Sequence, residues 1–215
     1  PPEPPATAFK AEEIPWTSRN WDNRIEAYVR LTHRLGVRVC GVWGGWGHEP
    51  PYKPHAPQLK LIEELGMGWL TGNPSGTIEN RGKDWEKYDE KALRKGLRNM
   101  VKEFGHVRPM MICLGNEPHT KGDATKIDIE AYRIIYDEAK KIDPTITIVG
   151  TSVGTGTEEY FANGFGQWCD VYDFHIYEDA MSVRKTLEVR YPEMFKKYGH
   201  AKPVWSTELG LNSQG

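Results

Sequence analysis

The chain has 215 residues, 38% of them apolar and 27% charged, with a formal net charge of -2. That size supports one domain with a sizeable core, and the near-neutral balance gives no basis for a nucleic-acid partner or an anionic membrane surface. No stretch nears the roughly 18 consecutive apolar residues of a membrane helix, and no secretory signal is evident.

Residues 1–20 open with Pro1-Pro2-Glu3-Pro4-Pro5 and read as a Pro-rich tail or linker, because each proline ring removes a backbone donor. Residues 21–215 read as one domain. Asp22 to Leu35 has helical spacing and stops at Gly36. Val37 to Trp43 is a strand, followed by a Gly- and Pro-rich loop through Ala56. Pro57 to Leu65 is a short helix, Met67 to Thr71 a short strand, and a loop runs to Tyr88. Asp89 to Phe104 is the best helix, with Leu93, Leu97, Met100, Val101 and Phe104 on one face. Met110 to Leu114 is a continuous apolar strand that ends in Gly115-Asn116-Glu117-Pro118.

Ile127 to Ile142 is helical, Thr145 to Val149 a β-branched strand, and Glu158 to Phe165 a short helix. Val171 to Tyr177 is the next strand. Ser182 to Tyr198 is helical with Pro192 as a break or kink, and Pro203 to Glu208 is the last strand. This alternation predicts an α/β fold with a parallel sheet covered on both faces, either an open doubly wound sheet or a (β/α)8 TIM barrel. Trp43, Asn73, Glu117, Ser152, Tyr177 and Glu208 all fall at or just past strand C-terminal ends. A barrel gathers those ends around one mouth, whereas an open sheet spreads them along an edge.

Glu117 and Glu208 carry the chemistry. A carboxylate at the tip of a buried strand is costly unless paired, solvated or used. Two of them facing each other can divide the work of glycosidic cleavage: one donates a proton to the leaving oxygen, the other attacks the anomeric carbon or activates water. The charge of one raises the pKa of its neighbour, so the two can hold different protons near neutral pH. Separation decides the stereochemistry, and the sequence alone leaves it open.

The ordered motifs Asn116-Glu117-Pro118, His175-Ile176-Tyr177 and Thr207-Glu208 resemble those of clan A glycoside hydrolases. These are (β/α)8 barrels with Asn-Glu ending the fourth strand and Glu ending the seventh. The stretches Asp170–Tyr177 and Ala201–Gly210 most resemble glycoside hydrolase family 39, with family 5 next. The resemblance implies a retaining enzyme with Glu117 as acid/base and Glu208 as nucleophile. It implies Asn116 on the sugar 2-OH, Tyr177 donating to Glu208, and His175 lining the pocket. Trp43 and Trp46, with glycines between and beside them, are candidate sugar platforms, and Asn73 and His119 are candidate rim contacts. Each has a plain alternative in loop packing or turn formation.

On this count the chain holds strands two to seven, without a clear first or eighth strand. The clan's eighth-strand aromatic, which floors the sugar site, is not found. The expected partners are a carbohydrate substrate and the remainder of the barrel, from a longer chain or another subunit. No cofactor or metal is expected: the seven histidines are scattered without a His-x-x-x-His pair, and Gly150 to Gly156 lacks the Gly-Lys-Ser/Thr ending of a phosphate loop. The three cysteines, Cys40, Cys113 and Cys169, match no metal motif and read as small buried hydrophobes. They leave the compartment open, a secreted or periplasmic one being slightly preferred. The competing readings are a non-catalytic carbohydrate-binding barrel, or inactive part of a larger glycosidase, and an unrelated α/β enzyme on an open sheet. A separation well over 10 Å between the two carboxyls removes paired-carboxylate chemistry.

Overall fold

A computed structural model describes residues 21–41, 56–72, 89–118, 121–152, 157–177 and 179–209. The first half alternates α1 (Trp21–Arg34), β1 (Val39–Gly41), α2 (Ala56–Glu64), β2 (Gly68–Gly72), α3 (Glu90–Phe104) and β3 (Met110–Cys113). The second half continues with α4 (Asp123–Ile142), β4 (Thr147–Val149), α5 (Thr157–Ala162), β5 (Tyr172–Ile176), α6 (Ala180–Lys185), α7 (Tyr191–Tyr198) and β6 (Val204–Leu209).

The strand order decides the architecture. β1, β2, β3 and β4 pair parallel in chain order. A parallel bridge from Val149 to Val171 leads on to β5, and β5 pairs parallel with β6. A doubly wound sheet would reverse direction at a switch point; six strands in unbroken sequential order make six-eighths of a (β/α)8 barrel wall instead. Among the described residues no strand pairs with the outer edge of β1 or of β6. On the inner side of that gap lies a cavity of about 700 Å³, lined by Tyr28, Val37, Val39, Leu70, Met111 and Trp205 among others.

Alternating side chains sort into two cores, as period-two strands require. Trp69, Met110, Ile112, Ile148, Tyr172 and Phe174 pack outward against the helices. Leu70, Met111, Cys113, Val149 and Val171 form a smaller inner cluster. The helices follow their apolar stripes: Leu93, Leu97 and Met100 of α3 are fully buried, each stabilising by roughly 1.5–3 kcal/mol. Asp89 caps α3 by accepting from the Ala92 N–H at 3.0 Å. Glu138 of α4 is buried and takes Arg94 (3.0 Å) and Arg98 of α3 as partners, joining the two helices.

Two elements differ from the sequence reading. α4 begins four residues earlier than its apolar periodicity, because Asp123 and the buried Thr125 form a first turn that lacks an aliphatic signal. At Pro192 the helix is interrupted by a π turn, Thr186–Arg190, and Pro192 occupies the first turn of α7. A proline has no N–H and its ring crowds the preceding turn, which the wider turn relieves. All three cysteines are free and buried, with the Cys113 and Cys169 thiols pushed up to about 12 by burial. Among the described residues no helix is long and apolar enough to cross a membrane.

Candidate active site

Glu117 stands just past β3. The strand itself is buried throughout, and Leu114 extends its pairing by donating N–H to Val149 O at 2.9 Å. Gly115 then passes so close to the next strand that a Cβ there would meet Thr151 Oγ1 at 2.7 Å and Tyr132 Oη at 3.1 Å. Only glycine lets the chain make that approach. Glu117 has φ of 42°, a left-handed conformation unusual for a residue with a Cβ. Such strain persists where the surroundings over-determine it, and it is common at functional sites.

β5 and β6 bring the rest. On β5, Asp173 and His175 alternate inward, while Tyr172 and Phe174 pack outward. The ladder pairs Asp173 with Trp205 and His175 with Glu208, so Ser206 and Thr207 together oppose Phe174. This bulge puts Trp205 and Glu208 on one face although three positions separate them; an unbroken ladder would send Glu208 outward. Thr207, at the bulge, donates its backbone N–H to Asp173 Oδ1 (2.8 Å) and its hydroxyl to Asp173 Oδ2 (2.6 Å).

The three elements converge on His175. Its Nδ1 lies 2.9 Å from Glu117 Oε1 and 3.7 Å from Glu208 Oε2. Its Nε2 lies 3.1 Å from Thr207 Oγ1 and 3.4 Å from Asp173 Oδ2. A carboxylate oxygen of Glu117, one of Glu208 and a ring nitrogen of His175 all lie within 4.8 Å of one another. The His175 and Asp173 side chains are only 5% and 0% exposed, whereas Glu117 and Glu208 are 42% and 47% exposed. The imidazole is thus a fixed floor beneath two carboxylates that a ligand can reach. Burial pushes the Asp173 carboxyl above the usual carboxylate range, and the Thr207 hydroxyl and N–H pull it back down. Glu117, His175 and Glu208 also bring two oxygens and one nitrogen close enough together to hold a metal ion.

No family model and no curated protein matches the sequence. Solved structures do. A protein assigned as an alpha-L-fucosidase from Bacteroides thetaiotaomicron aligns with a TM-score of 0.61 at 14% identity, covering 88% of this chain and 68% of that one. Beta-glucuronidase 2 from Bacteroides uniformis aligns at 0.56 and 16% identity, covering 85% of this chain and 22% of that one. Rutinosidase from Aspergillus niger aligns at 0.53 and 11% identity, covering 88% and 76%. The fold is glycosidase-like.

Within this glycosidase-like barrel wall the structure brings together Glu117, His175 and Glu208 of the residues singled out by sequence. Asn116 is exposed beside Glu117. Tyr177 is half-exposed beyond β5, and among the described residues it has no hydrogen bond to Glu208. Trp43, Trp46, Asn73 and His119 lie outside the described residues. Sequence reasoning missed Asp173 as a site residue and gave Thr207 no role of its own. The available signal was period two: Asp173 shares the face of His175, and an acid in mid-strand needs a partner.

Proposed function

We propose that the protein is a retaining glycoside hydrolase of clan A that cleaves O-glycosidic bonds of an oligo- or polysaccharide by double displacement. Its substrates are of the β-xylosidase or β-glucanase kind, with family 39 the nearest likeness and family 5 next. The observation that carries this reading is the approach of the Glu117 and Glu208 oxygens to within 4.8 Å across the mouth. Retaining glycosidases hold their carboxyls about 5–5.5 Å apart, and inverting ones about 6.5–9.5 Å to leave room for water.

In the first step Glu208 attacks the anomeric carbon while protonated Glu117 gives its proton to the departing glycosidic oxygen. A glycosyl ester on Glu208 and a free alcohol result. In the second step Glu117, now ionised, takes a proton from water as that water displaces Glu208, which restores both carboxyls. Asn116, exposed next to Glu117, bonds the sugar 2-OH on this reading, and Tyr177 contributes at the rim. Trp43, Trp46, Asn73 and His119 complete the proposed sugar contacts.

The test is inactivation by 2-fluoro glycosides followed by peptide mass spectrometry. A label on Glu208 is expected. Sugar binding without turnover, unchanged in Glu208→Gln, would instead favour the non-catalytic carbohydrate-binding barrel.

A further inference from the structure

We infer that Asp173 and Thr207 are positioning residues that fix His175 as its Nε2–H tautomer and so place a proton on the contact between His175 and Glu117. The use of that proton rests on the glycosidase reading; its location does not.

The argument follows the hydrogens. Asp173 is buried on the inner face, and a carboxylate there only accepts. Its two oxygens take the N–H and the hydroxyl of Thr207, at 2.8 and 2.6 Å. A hydroxyl has one proton, and this one is committed to Asp173. What Thr207 Oγ1 turns toward His175 Nε2, 3.1 Å away, is therefore a lone pair. The other group near Nε2 is Asp173 Oδ2 at 3.4 Å, again an acceptor. Nε2 must carry the hydrogen.

A neutral imidazole has one N–H, so Nδ1 is left with a bare lone pair. It faces Glu117 Oε1 at 2.9 Å. Two lone pairs at that distance repel, and one proton between them turns the contact into a strong bond. One proton is thus shared across the contact between Glu117 Oε1 and His175 Nδ1. Glu208, at 3.7 Å from the same nitrogen, lies beyond bonding distance. The two carboxyls are made unequal by a chain of bonds that starts at Asp173. On the proposed reaction this proton goes to the leaving oxygen in the first step and is replaced from water in the second.

The experiment uses the whole chain labelled with 15N-histidine. A long-range 1H–15N spectrum identifies His175 by the signal lost in His175→Gln. Wild type is expected to show a protonated Nε2, and Asp173→Asn, whose amide can donate toward Nε2 and no longer claims the Thr207 proton, to lose that preference. On glycosides with poor leaving groups Asp173→Asn is expected to lose about 100-fold in kcat, within the range a general acid contributes, while activated aryl glycosides change less than about threefold. Thr207→Ser, which keeps the hydroxyl, is expected to keep the wild-type spectrum and rate. A wild-type His175 protonated only at Nδ1 would overturn the relay, as would equal losses on both substrate sets. Should Asp173→Asn fail to fold, the wild-type spectrum still decides. A protonated Nε2 in a protein that turns over no glycoside supports the relay and removes the glycosidase reading.

Discussion

Glu117 Oε1 and His175 Nδ1 meet at 2.9 Å, so an exposed carboxylate on one strand end is held by a nearly buried imidazole two strands away. On the proposed reaction the pair orients Glu117 and supplies its proton partner as the acid. Glu117→Ala is expected to lower kcat by about 10²–10⁴-fold on glycosides with poor leaving groups, and far less on activated aryl glycosides. Added azide, which needs no general base, is expected to restore turnover of the activated set. Steady-state kinetics on both sets check this, and equal loss on the two would contradict the role.

Gly115 carries the chain closely past Thr151 and Tyr132 just before Glu117. Gly115→Ala places a methyl 2.7 Å from Thr151 Oγ1 and 3.1 Å from Tyr132 Oη. The strand end must shift, at an expected cost of about 1–3 kcal/mol. Urea denaturation reads the loss, and activity is expected to fall further than stability because Glu117 moves with the backbone.

Glu138 supplies the pH dependence of folding that is easiest to isolate. Its side chain is only 4% exposed between Arg94 and Arg98. The Arg98 bond, with Arg94 adding to it, holds its carboxyl below the usual carboxylate range. A depressed folded pKa contributes stability that is present above the unfolded pKa and is lost as pH falls through the folded one. Glu138→Gln is expected to cost about 2–3 kcal/mol at neutral pH, because the arginines lose their partner. The gap between wild type and variant is expected to close as the pH is lowered, measured as thermal midpoints in a pH series.

The trio of Glu117, His175 and Glu208 can also be turned against the reaction. Zn²⁺ bound across it would occupy both carboxylates and the Nδ1 lone pair. Turnover is expected to be unaffected by EDTA and inhibited by added Zn²⁺, with the inhibition relieved in His175→Gln. Loss of activity on chelation would point to a metal-dependent reaction instead.

Much of the wall was legible. Met110 to Cys113 is continuously apolar and Thr147 to Val149 β-branched, so both strands announce themselves, and the two glutamates stand out because charge is costly at the tip of such runs. The polar residues beneath them were not legible. Asp173 looks like any acid in a strand until Thr207, 34 positions later, is seen to donate to both of its oxygens. Register between two strands is a tertiary property, and nothing within Val204 to Leu209 reveals that Ser206 and Thr207 together face Phe174. The start of α4 was hidden for a local reason, since Thr125 is buried without being aliphatic.

The offset between β5 and β6 makes the direction of Thr207 a matter of arithmetic rather than chemistry. Remove Ser206 and both Thr207 and Glu208 are kept, yet Thr207 alone takes the seat opposite Phe174, so in the now regular ladder its hydroxyl turns toward the helices and away from Asp173, while Glu208 still faces inward opposite His175. A sequence that keeps the Thr-Glu pair but brings it one place closer to Trp205 would therefore spell the same motif and leave His175 without its Thr207 contact. Any search for true counterparts of this protein should weigh that interval as heavily as the letters.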